Sequence, residues 1–325
     1  MATYKGIQGY SVQKLSSDPT VEDTVGQLWY NSTSGAFKIS TEGAGAWATG
    51  TNYPVVGNQS GGAGIVTAFV QWGGTAPAVT TASNTYNGTA WTATNPMISA
   101  ISGTAGVGTQ TAAMGCGGYN GGYNSRTEEF DGTSWTAGNA DPTPSTLGYR
   151  GMTGTQTAAL SAGGYGTPPP AQVNSVSEYD GTNWTAGNNY PAAKSEIFSA
   201  GTQTAAIYAG GYPHVANAFT YDGTSWAATN PINTPRSDGQ AGGTQTAAMI
   251  AGGYPMSALT ESYDGTSWTE VGDLSSGRQS TTHGYEATAN APTSFLVSCG
   301  NIPSKSSAVE EWTDPVYTIK TVTVS

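Results

Sequence analysis

The chain repeats itself, and this repeat constrains the fold more than any other feature. Residues 243–271 read GTQTAAMIAGGYPMSALTESYDGTSWTEV, and close copies fill most of the 325 residues. The opening hexapeptide GTQTAA occurs four times, beginning at Gly108, Gly154, Gly201 and Gly243. A double glycine follows each copy, at Gly117 and Gly118, Gly163 and Gly164, Gly210 and Gly211, and Gly252 and Gly253. An aromatic-Asp-Gly-Thr-X-Trp block then closes each repeat, with its tryptophan at Trp135, Trp184, Trp226 and Trp268.

Two weaker copies flank these four. The first ends at Trp91, and the last ends at Trp312, which stands where the other repeats have Tyr or Phe. The chain therefore holds six repeats of about 42–49 residues, a spacing typical of four-stranded propeller blades.

The chemistry of each repeat predicts β-structure. An Asp-Gly pair between two short aromatic-bearing runs predicts a tight hairpin with a type I′ turn, in which both central residues have positive φ. Threonine and aromatic residues suit a pleated sheet. The small residues of GTQTAA and the following strand suit a crowded position near a propeller axis. No segment keeps a 3.6-residue apolar period, so we expect no helix longer than a turn.

These repeats resemble the kelch family. The double glycine after an apolar strand, followed by a spaced Tyr and Trp, is the kelch pattern, and Thr234, Pro235 and Arg236 resemble the kelch inter-blade linker. The spacing departs from it, because Tyr263 and Trp268 enclose four residues where kelch repeats enclose six. The resemblance covers roughly residues 47–312 and implies a kelch-like β-propeller.

The chain ends predict how such a ring closes. The sequence WATG at 47–50 matches WTAG at 135–138, so Trp47 supplies the strand that the last repeat lacks. Sealing a ring with a strand from the opposite end of the chain removes exposed sheet edges. Residues 27–40 predict a hairpin, and residues 316–324 alternate with period two, so we expect them to pair in a small sheet.

We therefore predict an all-β chain with a six-bladed kelch-like propeller, closed by an N-terminal strand, and an accessory sheet built from both ends. The expected boundaries are an N-terminal anchoring arm at 1–26, the hairpin and accessory sheet at 27–46, the propeller at 47–313 and a C-terminal strand at 314–325.

Charge excludes some partners. The net charge is −11 with ten Lys and Arg in all, and a nucleic-acid-binding face needs clustered cations. No run of 18 apolar residues predicts a membrane span, and no leader pattern follows Met1. Cys116 and Cys299 occupy the same repeat position in non-neighbouring repeats, so we expect two buried thiols without a disulfide.

Candidate catalytic and metal-binding residues are few, and we expect no cofactor, metal or catalytic site. Asp131, Asp180, Asp222 and Asp264 lie in Asp-Gly turns, where the side chain bonds its own backbone, and one Asp per turn is too few oxygens for calcium. Sialidases are six-bladed and need three arginines, and this chain has Arg126, Arg150, Arg236 and Arg278. Their Asp and Trp lie five apart in the turn motif, against four here. Kelch-like copper oxidases need several His, and only His214 and His283 exist, both expected to be solvated loop residues.

The repeated tryptophans have two interpretations. At a fixed place in each repeat, they are expected to pack between neighbouring blades. The alternative is a ring of sugar-stacking sites. The residues concerned are Trp47, Trp91, Trp135, Trp184, Trp226 and Trp268.

Loop variation predicts a binding face. The loops after the double glycines and after the tryptophan strands fall on one face, and the loops after the double glycines vary strongly, whereas the GTQ and Asp-Gly turns hardly change. Variation gathered on one face of a repeat protein indicates the binding face, unless these loops drift for lack of constraint. The ligand or partner face is predicted to carry Tyr119, Tyr123, Tyr165, Tyr212 and Tyr254.

A second resemblance lies in the chain ends. MATYKGIQGYSVQKLSSDPT, GQLWYNSTSGAFKI and EEWTDPVYTIKTVTVS are similar to segments of virion structural proteins of tailed phages, notably those of marine cyanobacteria. This resemblance implies a non-enzymatic protein on the particle surface. It would contact other virion proteins through the arm and accessory sheet and attach to a host-surface glycan as a tail fibre, baseplate or head-fibre component. Capsid decoration without a receptor, and glycan cleavage, are the alternatives. The sequence leaves the oligomeric state open.

Overall fold

A computed structural model describes residues 12–19, 26–42, 45–142, 146–167, 171–282, 294–313 and 317–322. Along these residues the chain forms strands, turns and loops and no helix. Accordingly, the described chain has no helix that is long and apolar enough to cross a bilayer. The chain divides into two compact units, which we call the end module (Met1–Gly45 with Asp314–Ser325) and the repeat module (Ala46–Thr313).

The end module contains one four-stranded sheet in the order β1-β2-β3-β34. Its strands are β1 (Gln13–Leu15), β2 (Leu28–Asn31), β3 (Ala36–Glu42) and β34 (Tyr317–Thr321). Strand β34 pairs antiparallel with β3, with Lys38 opposite Thr321 and Ser40 opposite Ile319. The pairing expected between the hairpin and the tail is therefore present over these residues, whereas 316, 323 and 324 lie outside the described chain.

The repeat module contains the other strands. In chain order they are β4 (Ala46–Thr49), β5 (Gly61–Ile65), β6 (Ala68–Trp72), β7 (Thr75–Ala76), β8 (Ala78–Val79), β9 (Ser83–Tyr86), β10 (Trp91–Ala93), β11 (Ala105–Thr109), β12 (Ala112–Tyr119), β13 (Tyr123–Phe130), β14 (Trp135–Gly138), β15 (Thr146–Gly148), β16 (Gly151–Thr155), β17 (Ala158–Ala162), β18 (Tyr165–Thr167), β19 (Ala171–Gln172), β20 (Val176–Tyr179), β21 (Trp184–Ala186), β22 (Phe198–Thr202), β23 (Ala205–Ala209), β24 (Ala218–Tyr221), β25 (Trp226–Thr229), β26 (Gln240–Thr244), β27 (Ala247–Ala251), β28 (Thr260–Tyr263), β29 (Trp268–Glu270), β30 (Ser294–Ser298), β31 (Asn301–Ile302), β32 (Ser304–Lys305) and β33 (Val309–Thr313).

Each repeat folds into one antiparallel sheet. We name the four-stranded sheets A (β5, β6, β9, β10), B (β11–β14), C (β16, β17, β20, β21), D (β22–β25) and E (β26–β29). Sheet F has three strands in the order β30-β33-β4. In sheet F, Trp47 of β4 lies opposite Trp312 of β33. Two short pairs, β7 with β8 and β31 with β32, and a small sheet of β15, β18 and β19 form separate sheets.

The innermost strands of successive sheets contact one another, from β5 to β11, β16, β22 and β26. Strand β30 of sheet F contacts β5 of sheet A. The apolar core is divided among the gaps between neighbouring sheets. One cluster joins Phe198 and Ile207 of sheet D to Tyr263 and Trp268 of sheet E. The arrangement is β-propeller-like, because each sheet covers its two faces with its neighbours.

The GTQTAA hexapeptide does not lie within a single strand. It spans the turn between the first and second strands: in sheet D, β22 ends at Thr202 and β23 begins at Ala205. The strand that runs into the double glycine is therefore the second strand of its sheet. The sequence placed these small residues at a crowded position without saying which strand is innermost, and the innermost strands are also rich in small residues, as in GGAGI of β5.

The Asp-Gly hairpins also differ from the predicted type I′ turn. Phe130 pairs with Trp135, so the loop has four residues, and within it only Gly132 has positive φ. The Asp131 carboxylate accepts the backbone N–H groups of Thr133 (2.8 Å) and Ser134 (2.7 Å). The Asp131 side chain thus provides hydrogen bonds that hold the turn. In a two-residue loop, the backbone would provide them.

The glutamine of GTQTAA fastens each sheet to the one before it. Gln156 Nε2 in sheet C donates to the carbonyl oxygens of Ala113 (3.0 Å) and Phe130 (2.9 Å), which belong to the second and third strands of sheet B. Three other glutamines make the same pair of bonds to the preceding sheet, namely Gln110, Gln203 and Gln245. We call this contact the glutamine clamp.

Tyrosine and glutamate add a second contact between sheets. The Tyr221 hydroxyl of sheet D donates to Glu178 Oε1 of sheet C at 2.5 Å. Tyr179 of sheet C makes the same contact with Glu129 of sheet B. Tyr86 of sheet A donates in the same way, at 2.5 Å, to Glu311 of sheet F. The first and last sheets are therefore joined by a contact that otherwise links consecutive sheets.

The double glycines meet the segment that enters the next sheet. Gly210 and Gly211 both have positive φ, and the Gly211 N–H donates to the Arg236 carbonyl at 3.0 Å. A Cβ atom on Gly210 would lie 2.5 Å from that same oxygen. Close backbone approach therefore explains why glycine is needed there. Gly117 and Gly118, Gly163 and Gly164, and Gly252 and Gly253 also have positive φ.

Replacing Gln156 with leucine should lower the free energy of unfolding by about 2 kcal/mol, because two carbonyl groups between sheets B and C lose their donor. Urea unfolding followed by tryptophan fluorescence measures this change. Thr157→Ala in the same turn is the control, because Thr157 is exposed. A loss no larger for Gln156→Leu than for Thr157→Ala would contradict the clamp.

Candidate functional site

The five tyrosines predicted to form a binding face lie in two groups. Tyr123 contacts Tyr119 and Tyr165 edge to face, with ring centroids 5.3 and 5.6 Å apart. Tyr212 and Tyr254 are bridged by His214, which stacks on Tyr254 with centroids 4.3 Å apart. His214 lies in a loop, as expected, and is partly exposed. His283 lies outside the described residues.

Four of these tyrosines have the same backbone role. The backbone of Tyr119 pairs with Ser102, that of Tyr212 with Ser195 and that of Tyr254 with Ser237. Tyr165 pairs in the same way with Gly148. Thr75 and Asn301 take this position in the first and last repeats, opposite Asn58 and Gln279. The residue that follows each of these pairing partners has an uncommon, left-handed backbone conformation. The six residues of this kind form a ring.

The ring consists of six residues with φ between 54° and 63°: Gln59, Gly103, Tyr149, Glu196, Asp238 and Ser280. The backbone N–H of each donates to the carbonyl of the one before it, at 2.8–3.2 Å, and the Gln59 N–H donates to the Ser280 carbonyl. The cycle of hydrogen bonds is therefore complete. We call it the backbone ring. A left-handed conformation is uncommon for a residue as bulky as tyrosine, and such outliers occur often at functional sites.

A cavity of about 530 Å³ opens over one side of the backbone ring. Four tyrosines line it, together with carboxylate, carboxamide and hydroxyl groups. The lining side chains that concern its chemistry are Tyr123, Tyr149, Tyr165, Tyr212, Glu196 and Gln59. Of the five predicted tyrosines, three line this cavity, whereas Tyr119 and Tyr254 lie beside it.

Two carboxylates give the ring its negative charge. Glu196 is half-buried, and its Oε2 accepts the Ser237 hydroxyl at 2.9 Å. Asp238 is buried, and its Oδ2 accepts the Ser280 hydroxyl at 2.6 Å. Burial raises the pKa of Tyr149 to about 12, with further contributions from Tyr123, Asp238 and Glu196. The Tyr149 hydroxyl therefore stays protonated at physiological pH and can donate a hydrogen bond.

Sequence reasoning missed Tyr149, Glu196 and Asp238. A signal was present, because each of them lies five residues before the first glycine of a GTQTAA copy, as Gly103 does. Alignment of the repeats on GTQTAA places these unlike residues, Gly, Tyr, Glu and Asp, in one column. The fold therefore accepts unlike residues at this position, which is held by main-chain hydrogen bonds.

Three of the four arginines are used inside the fold. Arg150 pairs with Asp141, Arg236 with Glu261 and Arg278 with Glu310, and the side chains in all three pairs are at most 3% exposed. The fourth, Arg126, is exposed and donates to the Ser99 hydroxyl. Buried, paired guanidinium groups leave no set of three arginines to hold a substrate carboxylate.

The repeated aspartates are exposed turn residues. Backbone N–H groups of the two following turn residues lower the pKa of each carboxyl, as Ser134 and then Thr133 do for Asp131. Asp180, Asp222 and Asp264 make the same turn contacts. Among the described residues, no group of three or more His, Cys, Asp and Glu side chains could hold a metal ion. Cys116 and Cys299 are free and buried, as expected.

The tryptophans lie against the preceding sheet. Trp135 of sheet B packs edge to face on Trp72 of sheet A, and its Nε1 donates to the Ser83 hydroxyl at 3.1 Å. Trp184 donates to Thr127 at 2.9 Å, and Trp47 donates to Thr260 at 3.0 Å. Trp226 donates to a carbonyl between sheets C and D, and Trp268 is buried. Trp91 stacks on Tyr86 of its own sheet and donates to the Thr51 carbonyl. The tryptophans therefore form no ring of open sugar-stacking faces.

Comparison with known proteins supports the fold and nothing finer. No protein-family model matches the chain, and no curated protein matches it. A solved structure titled "Structure of YjhT" is similar, with a TM-score of 0.66 and 14% sequence identity. The match covers 84% of this chain and 99% of that chain. At this identity, the likeness supports a β-propeller-like all-β fold alone.

Lys194 lies next to the ring in sequence but is used elsewhere. Its ammonium group donates to the Gly210 carbonyl at 3.3 Å and lies 5.9 Å from the ring centroids of Tyr190 and Phe219. Burial lowers its pKa from 10.5 to about 8. The charged form is therefore disfavoured in the folded protein.

Replacing Lys194 with methionine should raise the free energy of unfolding at neutral pH by about 1 kcal/mol, because a desolvated charge is removed. Between about pH 8 and 10.5 the unfolded wild-type chain keeps the lysine proton that the folded chain has lost, so wild-type stability rises with pH. The advantage of Lys194→Met should shrink across this range. Urea unfolding of both proteins from pH 7 to 10 measures it, and an advantage that stays constant with pH would disagree.

Proposed function

We propose that the chain is a non-enzymatic virion protein of a tailed phage that recognises carbohydrate at the host surface. The cavity over the backbone ring is the observation that carries the recognition part. It opens over one side of the backbone ring, and four tyrosines line it. The proposed role is that of a tail fibre, baseplate or head-fibre component.

The recognition module is proposed to be a closed six-bladed propeller. Three contacts support this closure: the pairing of Trp47 with Trp312, the bond from Tyr86 to Glu311, and the bond from Gln59 to Ser280 that completes the backbone ring. A closed ring gives a rigid scaffold, and binding loops on a rigid scaffold lose little entropy when they bind.

Carbohydrate suits the cavity chemically. Sugars present apolar C–H faces that pack on aromatic rings, and hydroxyl groups that need hydrogen-bond partners. Tyr123, Tyr165 and Tyr212 offer both an aromatic surface and a hydroxyl. Gln59 and Glu196 add further polar atoms at the floor of the cavity. Tyrosine also loses little rotamer freedom on binding, since its side chain has two torsions.

Glycan cleavage is the competing function, because glycosidases place two carboxylates beside the scissile bond. Glu196 and Asp238 are consecutive members of the ring. Only Glu196 lines the cavity, whereas Asp238 is buried and accepts the Ser280 hydroxyl. One carboxylate at the cavity favours binding without cleavage.

The end module is proposed to attach the protein to other virion proteins. One face of its sheet carries apolar side chains that are 40–43% exposed, namely Val12, Leu28, Phe37 and Val322. Strand register places Leu28 and Phe37 on the same face. Across the two strands, Leu28 pairs with Ile39 and Phe37 pairs with Tyr30. Exposed apolar faces are typical of protein interfaces. The resemblance of the chain ends to phage virion proteins supports the same role.

Tyr165→Ala and Tyr212→Ala should each weaken binding to host-surface polysaccharide at least about tenfold, because each removes an aromatic face from the cavity. Surface plasmon resonance on immobilised polysaccharides from host cells measures the affinity, and thermal unfolding confirms that each variant folds. Tyr119→Ala is the control, since Tyr119 lies on the same face outside the cavity. Equal losses for Tyr119 and Tyr165 variants would move the site away from the cavity. Release of reducing ends would favour cleavage.

Phe37→Ser combined with Leu28→Ser should reduce incorporation of the chain into phage particles, because the apolar face of the end module becomes polar. Quantitative mass spectrometry of purified particles measures the copy number, with Val56→Ser, an exposed apolar position in the repeat module, as control. Absence of the unaltered chain from particles would overturn the virion role. A high copy number on the shell together with no polysaccharide binding would favour capsid decoration.

A further inference from the structure

Asparagine followed by glycine occurs twice in the sequence, at Asn87-Gly88 and at Asn120-Gly121. Asparagine is a chemically labile residue. The glycine after it has no side chain, so its backbone nitrogen can approach the asparagine side chain without hindrance. Both asparagines are exposed to solvent. By residue type the two pairs are equally susceptible, so a difference between them has to come from the fold.

The Asn87 carboxamide is held by its own turn. Its Oδ1 accepts the backbone N–H groups of Thr89 (3.0 Å) and Ala90 (2.8 Å). Asp131 makes the same two bonds in the Asp-Gly turn of sheet B, so Asn87 takes the place of that aspartate in the first repeat. Attack by the Gly88 nitrogen requires the carboxamide to rotate. The Asn87 side chain therefore has to release both bonds before it can react.

Asn120 lies in a loop of a different kind. The pairing of strands β12 and β13 ends with Tyr119 opposite Tyr123, and Asn120, Gly121 and Gly122 join the two strands. Among the residues that the structure describes, the Asn120 carboxamide has no hydrogen-bond partner. A Cβ atom placed on Gly121 or on Gly122 would meet no atom within 4 Å beyond its chain neighbours. The Asn120 side chain is therefore free to rotate towards the Gly121 nitrogen.

We propose that Asn120 is a site of spontaneous deamidation, whereas Asn87 is protected by its turn. The Gly121 nitrogen attacks Asn120 Cγ, a C–N bond forms, and the Cγ–Nδ2 bond breaks. The side-chain nitrogen takes up the proton that the Gly121 nitrogen loses and leaves as ammonia, so that a succinimide ring remains. Water then opens the ring at either of its two carbonyl carbons, which gives aspartate or isoaspartate. Water is the one co-reactant.

The modification changes the charge next to the candidate site. Tyr119 and Tyr123 flank the loop, and Tyr123 lines the cavity over the backbone ring. Each converted copy of the chain gains a carboxylate between these two tyrosines. The isoaspartate product also adds a carbon atom to the main chain of the loop. This inference goes beyond the proposed function and does not depend on it.

The test follows both asparagines in one sample. The purified full chain is incubated at mildly alkaline pH and digested, and mass spectrometry of the peptides measures replacement of the side-chain NH2 by OH at each site. Asn120 should convert at least about tenfold faster than Asn87, because Asn87 first has to break two hydrogen bonds. In concentrated urea the two rates should agree within about threefold, since the unfolded chain protects neither side chain.

Two glycine variants identify the attacking nitrogen. Gly121→Ala should slow conversion of Asn120 at least about fivefold, because its methyl group hinders the nitrogen next to it. Gly122→Ala is the matched control in the same exposed loop, and it should change the rate less than about twofold. Equal slowing by the two variants would exclude the Gly121 nitrogen as the attacking atom.

The remaining outcomes decide the site and its cause. Equal rates for Asn87 and Asn120 in the folded chain would overturn the protection by the turn, and conversion of Asn120 in urea alone would overturn the site. A tenfold difference that persists in urea would assign it to the neighbouring sequence and not to the fold. Aspartate without isoaspartate would overturn the succinimide route, since direct hydrolysis of the carboxamide yields aspartate only.

Discussion

The glutamine clamp is the contact on which the repeat module depends. A four-stranded sheet has two faces and two edges, and successive sheets packed face to face must be held against one another without a continuous ladder between them. One carboxamide with two N–H groups reaches two carbonyl oxygens on adjacent strands of the neighbouring sheet. It therefore fixes both the distance and the stagger between sheets. Apolar packing supplies most of the burial, but it is non-directional, and the clamp adds the direction.

The contacts between sheets fall into a constant set and a variable set. Glutamine clamps, Asp-Gly turns and double glycines recur with the same partners. The buried charges recur only in part. Arg236 and Arg278 pair with Glu261 and Glu310 at equivalent positions of sheets E and F, whereas in sheet D that position holds Phe219, beside Lys194. Buried ion pairs contribute little net stability but enforce one pairing. The chain thus keeps its repeats distinct in the interior although their turns are nearly identical.

The sequence predicted the repeat boundaries and the all-β class because period and turn residues are local signals. It did not predict which strand of each repeat lies innermost, because Ala and Gly are compatible with any crowded position. It assigned the Asp-Gly loops to the wrong turn, since the Asp131 side chain substitutes for backbone bonds. Three of the five predicted tyrosines line the cavity, and Tyr149 and Glu196 were missed because their backbone conformation follows from contacts with neighbouring repeats. Contacts of this kind, between residues of different repeats, cannot be inferred from residue types taken one at a time.

The backbone ring has a consequence for how such a protein can change its specificity. Its six members are held by their main-chain N–H and C=O groups, and these groups are the same for every amino acid except proline. The fold therefore fixes where each member stands and leaves its side chain open, as Gln59, Tyr149 and Glu196 illustrate. These three members line the cavity and come from three different repeats. A substitution or an exchange of a repeat segment at one of these positions would change the lining of the cavity and leave the main-chain bonds of the ring in place.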